Sequence, residues 1–344
     1  MRISLRGIAR TDEAFTFRYN GREIPAFPGE SIAAALLSAD EAVCRETANG
    51  GGRGVFCGMG ICGECTVLVN GQPKRACMEG ARAHLAVRTQ PARRALPDEP
   101  ETRESRDWSE RHVDLLVVGA GPAGLAAAGA AARAGASVLV VDERSQAGGQ
   151  YFKQPGRGFI LADDAIDRQF REGRALYRDA CEAGVEFLFS ATVWGVFPGP
   201  QIGLAREAEN TLLRPRQIIL APGAFERPRP FPGWTRPGVM TTGSAQTLLR
   251  AYQTAPGKRV VVAGNGPLNL QVGRELVEAG AGVAAVAELA PGVTPARLGH
   301  VLGMARRSPD LLLAGLDHRF RLWRHNVPLL DEPGGIAFPG MHPA

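Results

Sequence analysis

Four cysteines lie close together near the N-terminus, spaced Cys57-x4-Cys62-x2-Cys65-x11-Cys77. The first three match the plant-type iron-sulfur pattern, in which thiolates on one tight loop and a fourth from a later segment hold two irons. Gly58, Gly60 and Gly63 stand between them. Residues without a Cβ let the backbone pass close to inorganic sulfide and aim N–H groups at it. The competing chemistry is zinc held by the same thiolates, but zinc ribbons offer two C-x2-C knuckles, and here Cys62 and Cys65 alone have that spacing. Thr66 stands where covalent haem attachment needs histidine. Cys57, Cys62, Cys65 and Cys77 are therefore read as ligands of a 2Fe-2S cluster, and Cys44 and Cys181 as buried apolar residues.

A second set of residues suits a dinucleotide. Gly119-Ala120-Gly121-Pro122-Ala123-Gly124 follows the apolar run Leu115–Val118 and opens an alanine-rich stretch. Gly119 permits the tight turn, Gly121 admits a pyrophosphate to the backbone and the helix N-terminus, and Gly124 lets helix and strand pack closely. Asp142, eighteen residues beyond Gly124, can accept from a ribose 2′-hydroxyl. The pattern recurs imperfectly as Gly264-Asn265-Gly266-Pro267-Leu268-Asn269 after a second apolar run, with Glu288 as its acid. Asn269 replaces the third glycine and is expected to push helix from strand, which leaves two readings open: a nucleotide site in which Glu288 still binds a ribose, and a retained fold with a weakened or altered site. No acid-base pair stands out for catalysis, because His84, His112, His300, His318, His325 and His342 are isolated from one another.

These residues need elements to hold them. Ahead of the cysteines, Ala14 to Asn20 alternates apolar and polar, Asn20-Gly21 is a hairpin signal, and Arg22 to Phe27 returns. Ser31 to Ser38 reads as a short helix, and Thr66 to Asn70, then Gly71, as another strand and turn. From Val113 a strand, glycine turn, helix and strand run to Asp142, and a similar unit runs from Lys258 to Glu288. Between them Ile166, Phe170, Leu176, Tyr177 and Cys181 approximate one helical face, and Glu186 to Val196 reads as β structure. Pro91 to His112 is charged, proline-containing and without apolar periodicity, which predicts an exposed linker. The expected organisation is a 2Fe-2S domain at 1–90, a linker at 91–112, a Rossmann-type domain at 113–256 and an incomplete second unit at 257–344.

Bulk properties narrow the class. At 344 residues and 44% hydrophobic composition the chain can bury several cores. Its formal charge of +5 comes from arginines scattered among acids and not interleaved with aromatics, which argues against nucleic acid as a partner. Met1 to Arg10 has no apolar stretch resembling a secretory signal, so a cytoplasmic location is expected. Leu115 to Ala132 is uncharged, but its glycines and proline suit a buried strand, turn and helix rather than a membrane span.

Longer stretches carry a resemblance. Val140-Val141-Asp142-Glu143-Arg144 with Gly148-Gly149-Gln150-Tyr151, and Leu220 to Arg227 followed by Pro230 to Met240, resemble the larger flavin chain of the bacterial hydrogen cyanide synthase, opine oxidase and D-hydroxyproline dehydrogenase group. The cysteine loop resembles that group's small 2Fe-2S chain, and the whole is similar to the α chain of heterotetrameric sarcosine oxidase. The likeness spans about Phe15 to Leu330 apart from the linker. It implies an α/β chain with an N-terminal α+β part: a ferredoxin-like β-grasp domain, then an FAD/NAD(P)-binding Rossmann-type two-dinucleotide fold, C-terminally shortened. It further implies FAD rather than NAD at the first site, lined by Gly119, Gly121, Pro122, Ala123, Gly124, Asp142, Glu143, Gly149, Gln150, Val193, Ala221 and Gly223, and NAD(P) as the candidate at Gly264 and Gly266. The sequence departs from the group where Pro222 replaces a usual threonine, and where a closing segment after the second unit is missing. The implied function is electron transfer within an amine or amino-acid dehydrogenase or oxidase. The implied partners are a flavin-dependent catalytic β subunit, a small amine or amino-acid substrate and a quinone or similar acceptor. The alternatives are an NAD(P)H-dependent iron-sulfur flavoprotein reductase and a scaffold subunit carrying only the cluster.

Overall fold

A computed structural model describes residues 1–331 except 12, 94–107, 163, 207–208, 229, 290–294 and 296–297. The chain forms two compact units: one draws on Met1–Leu5, Ala9–Ala92 and Glu226–Ala344, the other on Arg6–Ile8 and Arg93–Phe225.

In the first unit, two strand pairs turn on Asn-Gly dipeptides. Asn20 and Gly21 have φ of 50° and 84°, and Asn70 and Gly71 have 49° and 82°, the doubly positive geometry that matches the twist of a two-residue hairpin. Strands Phe15–Tyr19 and Arg22–Ala26 form the first hairpin, Thr66–Val69 and Gln72–Arg75 the second. Ala86–Thr89 runs between the hairpins, parallel to Phe15–Tyr19 and antiparallel to Thr66–Val69, closing a five-stranded sheet. Helix Ile32–Ser38, capped by the Ser31 side chain on the Ala34 N–H, buries Ile32 and Leu36 with Phe17, Ile24, Val67 and Val87.

The same unit contains the second dinucleotide fold, a parallel sheet of Arg259–Gly264, Gly282–Glu288 and Leu329–Asp331 in that order. Helix Pro267–Glu278 packs Val272 and Leu276 into its core with Val262, Val286 and Leu322. Helix Thr242–Tyr252 adds Ala245 and Leu249 to this core, and every residue from Gly243 to Ala251 is buried.

The second unit holds a six-stranded sheet in the order Glu186–Phe189, Val138–Asp142, Ser109–Val118, Glu209–Leu220, Gln201–Arg206, Ala191–Phe197. The first four are parallel and the last two antiparallel additions. Leu115 and Val117 face the core under helices Pro122–Arg133 and Arg168–Glu182, whereas Val113 and Leu116 face Leu139, Val141, Ile202 and Leu213 on the other side. Burial on both faces explains the uncharged run from Leu115. Among the described residues no helix is long and apolar enough to cross a membrane.

Two expectations are corrected. Ser109–His112, read as linker, belong to the strand Ser109–Val118; the rest of that stretch lies mostly outside the described residues. The twelve-residue partner Glu209–Leu220 extends the ladder to Ser109, and the charges stay on exposed positions, with Glu110 paired to Arg214 at 2.9 Å and Arg111 to Glu186. Cys181 is exposed, not buried, because Ala180 and Phe170 take the inner face of its helix.

Candidate functional site

The cysteine loop follows the short strand Gly52–Arg53, which pairs with Arg45–Glu46, and enters the five-stranded sheet at Thr66. Cys57, Cys65 and Cys77 are buried, Cys62 is half-buried, and Ile61 beside it is exposed. Three glycines take left-handed conformations, Gly58 at φ 64°, Gly60 at 79° and Gly63 at 71°. The loop has no room for side chains at two of them, since a Cβ on Gly60 would lie 2.7 Å from Met78 Cγ and one on Gly58 would lie 2.6 Å from Ser244 Oγ. Amides turn toward sulfur: the Met59 N–H donates to Cys57 Sγ at 3.5 Å and the Glu64 N–H to Cys62 Sγ at 3.4 Å. Arg45 and Arg53 grip the Glu64 carboxylate from either side, and Arg75 donates to the Gly60 carbonyl, so the loop is braced from outside.

The four thiols influence one another in a chain that runs from Cys62 through Cys57 and Cys77 to Cys65. Hydrogen bonding from Cys62 and then Cys77 lowers the Cys57 thiol and bonding from Cys77 lowers that of Cys65, while Cys62 is pushed up by its bond to Cys57 and Cys77 by its bonds to Cys57 and Cys65. Among the described residues no three His, Cys, Asp or Glu side chains surround a single ion position. Four mutually interacting thiols from one loop and a later segment are what a two-iron cluster with two thiolates per iron requires. The donor set and the glycine-lined approach therefore fit a 2Fe-2S group. Cys44 is separate: it is 1% exposed in the apolar core, and burial pushes its thiol far up.

In the other unit, the turn after strand Ser109–Val118 is built from contacts only glycine allows. A Cβ on Gly119, whose φ is 107°, would lie 2.2 Å from the Ala221 carbonyl oxygen, and one on Gly124 would lie 1.8 Å from that of Gly119. Gly149, at φ 60°, comes so close that its Cβ would meet Gly121 Cα at 2.8 Å. Helix Pro122–Arg133 starts from Gly121 with no side chain capping its N–H groups, leaving them for an anion. Asp142 accepts from the Ala120 N–H at 2.7 Å and the Arg144 N–H at 2.8 Å, tying the end of its strand to the glycine turn. Pro122 and Gln150 border the same turn, Ala123 and Glu143 are exposed, and the Ala221 N–H continues the ladder to the Val118 carbonyl. Gly223, at φ 75°, is exposed just beyond it, and Val193 packs on the core around Leu116 and Val141. The bare helix terminus and the Gly121–Gly149 cradle fit a pyrophosphate.

The second fold repeats this economy with one change. Gly264 and Gly266 again have positive φ, 148° and 120°, and Glu288 accepts from the Gly266 N–H at 3.2 Å. Asn269, in place of glycine, is buried between helix and strand: its Oδ1 accepts from Thr242 Oγ1 at 2.8 Å, and its Nδ2 lies 3.1 Å from where a Gly264 Cβ would be. The space a third glycine would close is filled by a carboxamide moored to a neighbouring helix. Nothing in the residue pattern announces the buried polar network beside it, in which Arg250 Nη1 meets Glu275 Oε1 at 3.1 Å and Gln271 donates to the same oxygen at 2.8 Å.

Comparison with known proteins agrees with the two domain types. Residues 12–92 match the 2Fe-2S iron-sulfur cluster binding domain family, and residues 113–307 match the pyridine nucleotide-disulphide oxidoreductase family. The cluster and FAD expected from the sequence agree with these two matches. An opine oxidase chain of Rhizobium meliloti is 34% identical over 65% of this chain, and the alpha chain of a Corynebacterium sarcosine oxidase is 32% identical over 74%. A hydrogen cyanide synthase chain of Pseudomonas aeruginosa is 34% identical over 62%. The aligned part spans 49%, 28% and 46% of those relatives, so the chain covers about half of their length or less. L-Proline dehydrogenase from P. horikoshii shares the fold, with a TM-score of 0.64 at 20% identity over 82% of this chain and 55% of that one. With the glycine cradles of both dinucleotide folds inside the longer match and the four cysteines inside the shorter, the chain belongs to the pyridine nucleotide-disulphide oxidoreductase family and carries a 2Fe-2S iron-sulfur cluster binding domain ahead of it.

Proposed function

We propose that the protein is the electron-transfer subunit of a flavin-dependent amine or amino-acid dehydrogenase or oxidase, working with a catalytic β subunit that carries its own flavin. The carrying observation is the presence of a glycine-lined loop bearing four cysteines and a pyrophosphate cradle in one chain. A flavin takes two electrons as hydride whereas a 2Fe-2S centre carries one at a time, so together they convert pair transfer into single steps. In this reading Gly119, Gly121, Gly124 and Gly149 hold the FAD pyrophosphate, Asp142 fixes the turn and meets the ribose, and Cys57, Cys62, Cys65 and Cys77 hold the cluster. Ile61 and half-buried Cys62 form the exposed edge from which electrons leave for a quinone or similar acceptor. The relatives named as parts of opine oxidase, sarcosine oxidase and hydrogen cyanide synthase support an amine or amino-acid substrate and a partner chain. We place the complex in the cytoplasm, and NAD(P) is the candidate ligand at Gly264 and Gly266.

Disulfide reduction, the activity of the family's name, needs two thiols beside the flavin, and in this sequence Cys181 is the sole cysteine after Cys77. The test is co-purification from the source cell, cofactor analysis, and an amine and amino-acid screen with a dye acceptor. The expected result is about one FAD and two irons per chain, a second flavoprotein in the complex, and dye reduction by one amine class. Rapid bleaching of the isolated chain's flavin by NADH would overturn this reading in favour of a pyridine-nucleotide-driven reductase, and cluster without flavin would leave a scaffold.

A further inference from the structure

We infer that the hydroxyl of Ser244, outside the iron-sulfur domain, donates a hydrogen bond to the sulfur shell of the cluster and raises its reduction potential. The inference rests on the cluster being held by the four cysteines. Helix Thr242–Tyr252 begins against the cysteine loop: the Thr241 N–H donates to the Phe56 carbonyl at 3.0 Å, one residue before the ligand Cys57. Ser244 then lies on Gly58, the residue after that ligand, so closely that a Gly58 Cβ would stand 2.6 Å from its Oγ and 2.9 Å from its Cα.

The Ser244 hydroxyl is fully buried and has no hydrogen-bond partner among the described residues. A helical serine or threonine ordinarily satisfies its hydroxyl on the carbonyl four residues back. Thr247, one turn later, does so on the Gly243 carbonyl at 2.8 Å. For Ser244 the corresponding carbonyl belongs to Met240, which precedes the helix. Other donors of this terminus are engaged, the Gly243 N–H by the Glu226 carboxylate and the Ser244 N–H by Thr241 Oγ1. A buried hydroxyl with no acceptor among the described residues, pressed on a cluster loop, needs an acceptor the loop brings with it, and thiolate and sulfide sulfur are the acceptors at hand.

Reduction adds one electron and one negative charge to the cluster, so a donor aimed at sulfur favours the reduced form. The test uses the full chain with its cluster assembled anaerobically and titrated with dithionite and mediators, following the reduced-state electron paramagnetic resonance signal. Ser244→Ala is expected to lower the midpoint potential by about 59 mV, a tenfold change in a one-electron equilibrium. Ser244→Cys, a weaker donor, is expected to fall between that variant and the unaltered protein. Thr247→Val, which removes a buried hydroxyl from the same helix away from the loop, is expected to leave the potential where it was. Equal potentials in the unaltered protein and every Ser244 variant that retains iron overturn the inference, as does an equal fall in Thr247→Val. Absence of iron and acid-labile sulfide from the unaltered protein overturns the cluster assignment instead. Should Ser244→Ala not retain iron, the Ser244→Cys comparison decides.

Discussion

Cys65 and Cys44 are both buried in the same small core, yet Cys65 is bonded to Cys77 whereas Cys44 is raised chiefly by burial and bonds to none of the four. Cys65→Ser should therefore remove most of the iron, acid-labile sulfide and visible absorption, whereas Cys44→Ala should retain them; metal and sulfide analysis after anaerobic purification checks both. At the dinucleotide turn Gly149 combines a left-handed backbone with a Cβ position 2.8 Å from Gly121 Cα. The conformation alone costs a side chain about 1–2 kcal/mol, and the close approach adds to that. Gly149→Val should weaken FAD by at least about tenfold, read as flavin lost on gel filtration or as a raised Kd in fluorescence titration. The chemistry of these residues is legible in the sequence because it is local: spacing places thiols on one loop, and glycine marks where backbone must approach backbone. Cys181 is not legible in the same way, because a single cysteine on a helix has no pattern of its own, and its exposure depends on which neighbours win the inner face.

At the scale of elements, strong local signals held. Asn20-Gly21 and Asn70-Gly71 form the hairpins their dipeptides announce, and both glycine turns open helices. The strand Ser109–Val118 begins earlier than its apolar run suggests, since ladder length is set by the partner strand and not by hydrophobicity. Helix Pro309–Arg324 carries a pH dependence. Burial, and then the Arg274 guanidinium, hold the His318 imidazole below its ordinary value of 6.5, against the opposing pull of Asp317, Glu275 and Glu278. The folded chain therefore binds this proton less readily than the unfolded one. Its contribution to stability is complete above about pH 6.5 and is lost as pH falls from there through the lowered folded value. His318→Asn should flatten that acid limb in urea unfolding followed between about pH 7 and 5.

For the molecule as a whole, the informative feature is a polar helix buried on all sides. Thr242–Tyr252 contains Gln246, Thr247 and Arg250, and composition alone would assign it to a surface. Arg250 is 2% exposed and ion-paired to Glu275 of helix Pro267–Glu278 at 3.1 Å. Arg250→Met alone leaves a buried carboxylate without its cation and should cost about 3–5 kcal/mol, whereas adding Glu275→Leu should restore most of that loss; chemical denaturation of the two variants compares them. The sequence by itself determined the cofactor chemistry and the fold class, because cysteine spacing, glycine turns and hydrophobic runs act over a few residues. Only the tertiary structure decided that Asn269 would fill the place of a glycine by bonding to Thr242, that Ser244 would rest on the cluster loop, and that Arg250 would find Glu275. Each of those outcomes joins residues from different elements, and which elements meet is settled by packing of the complete core rather than by any local pattern of residue types.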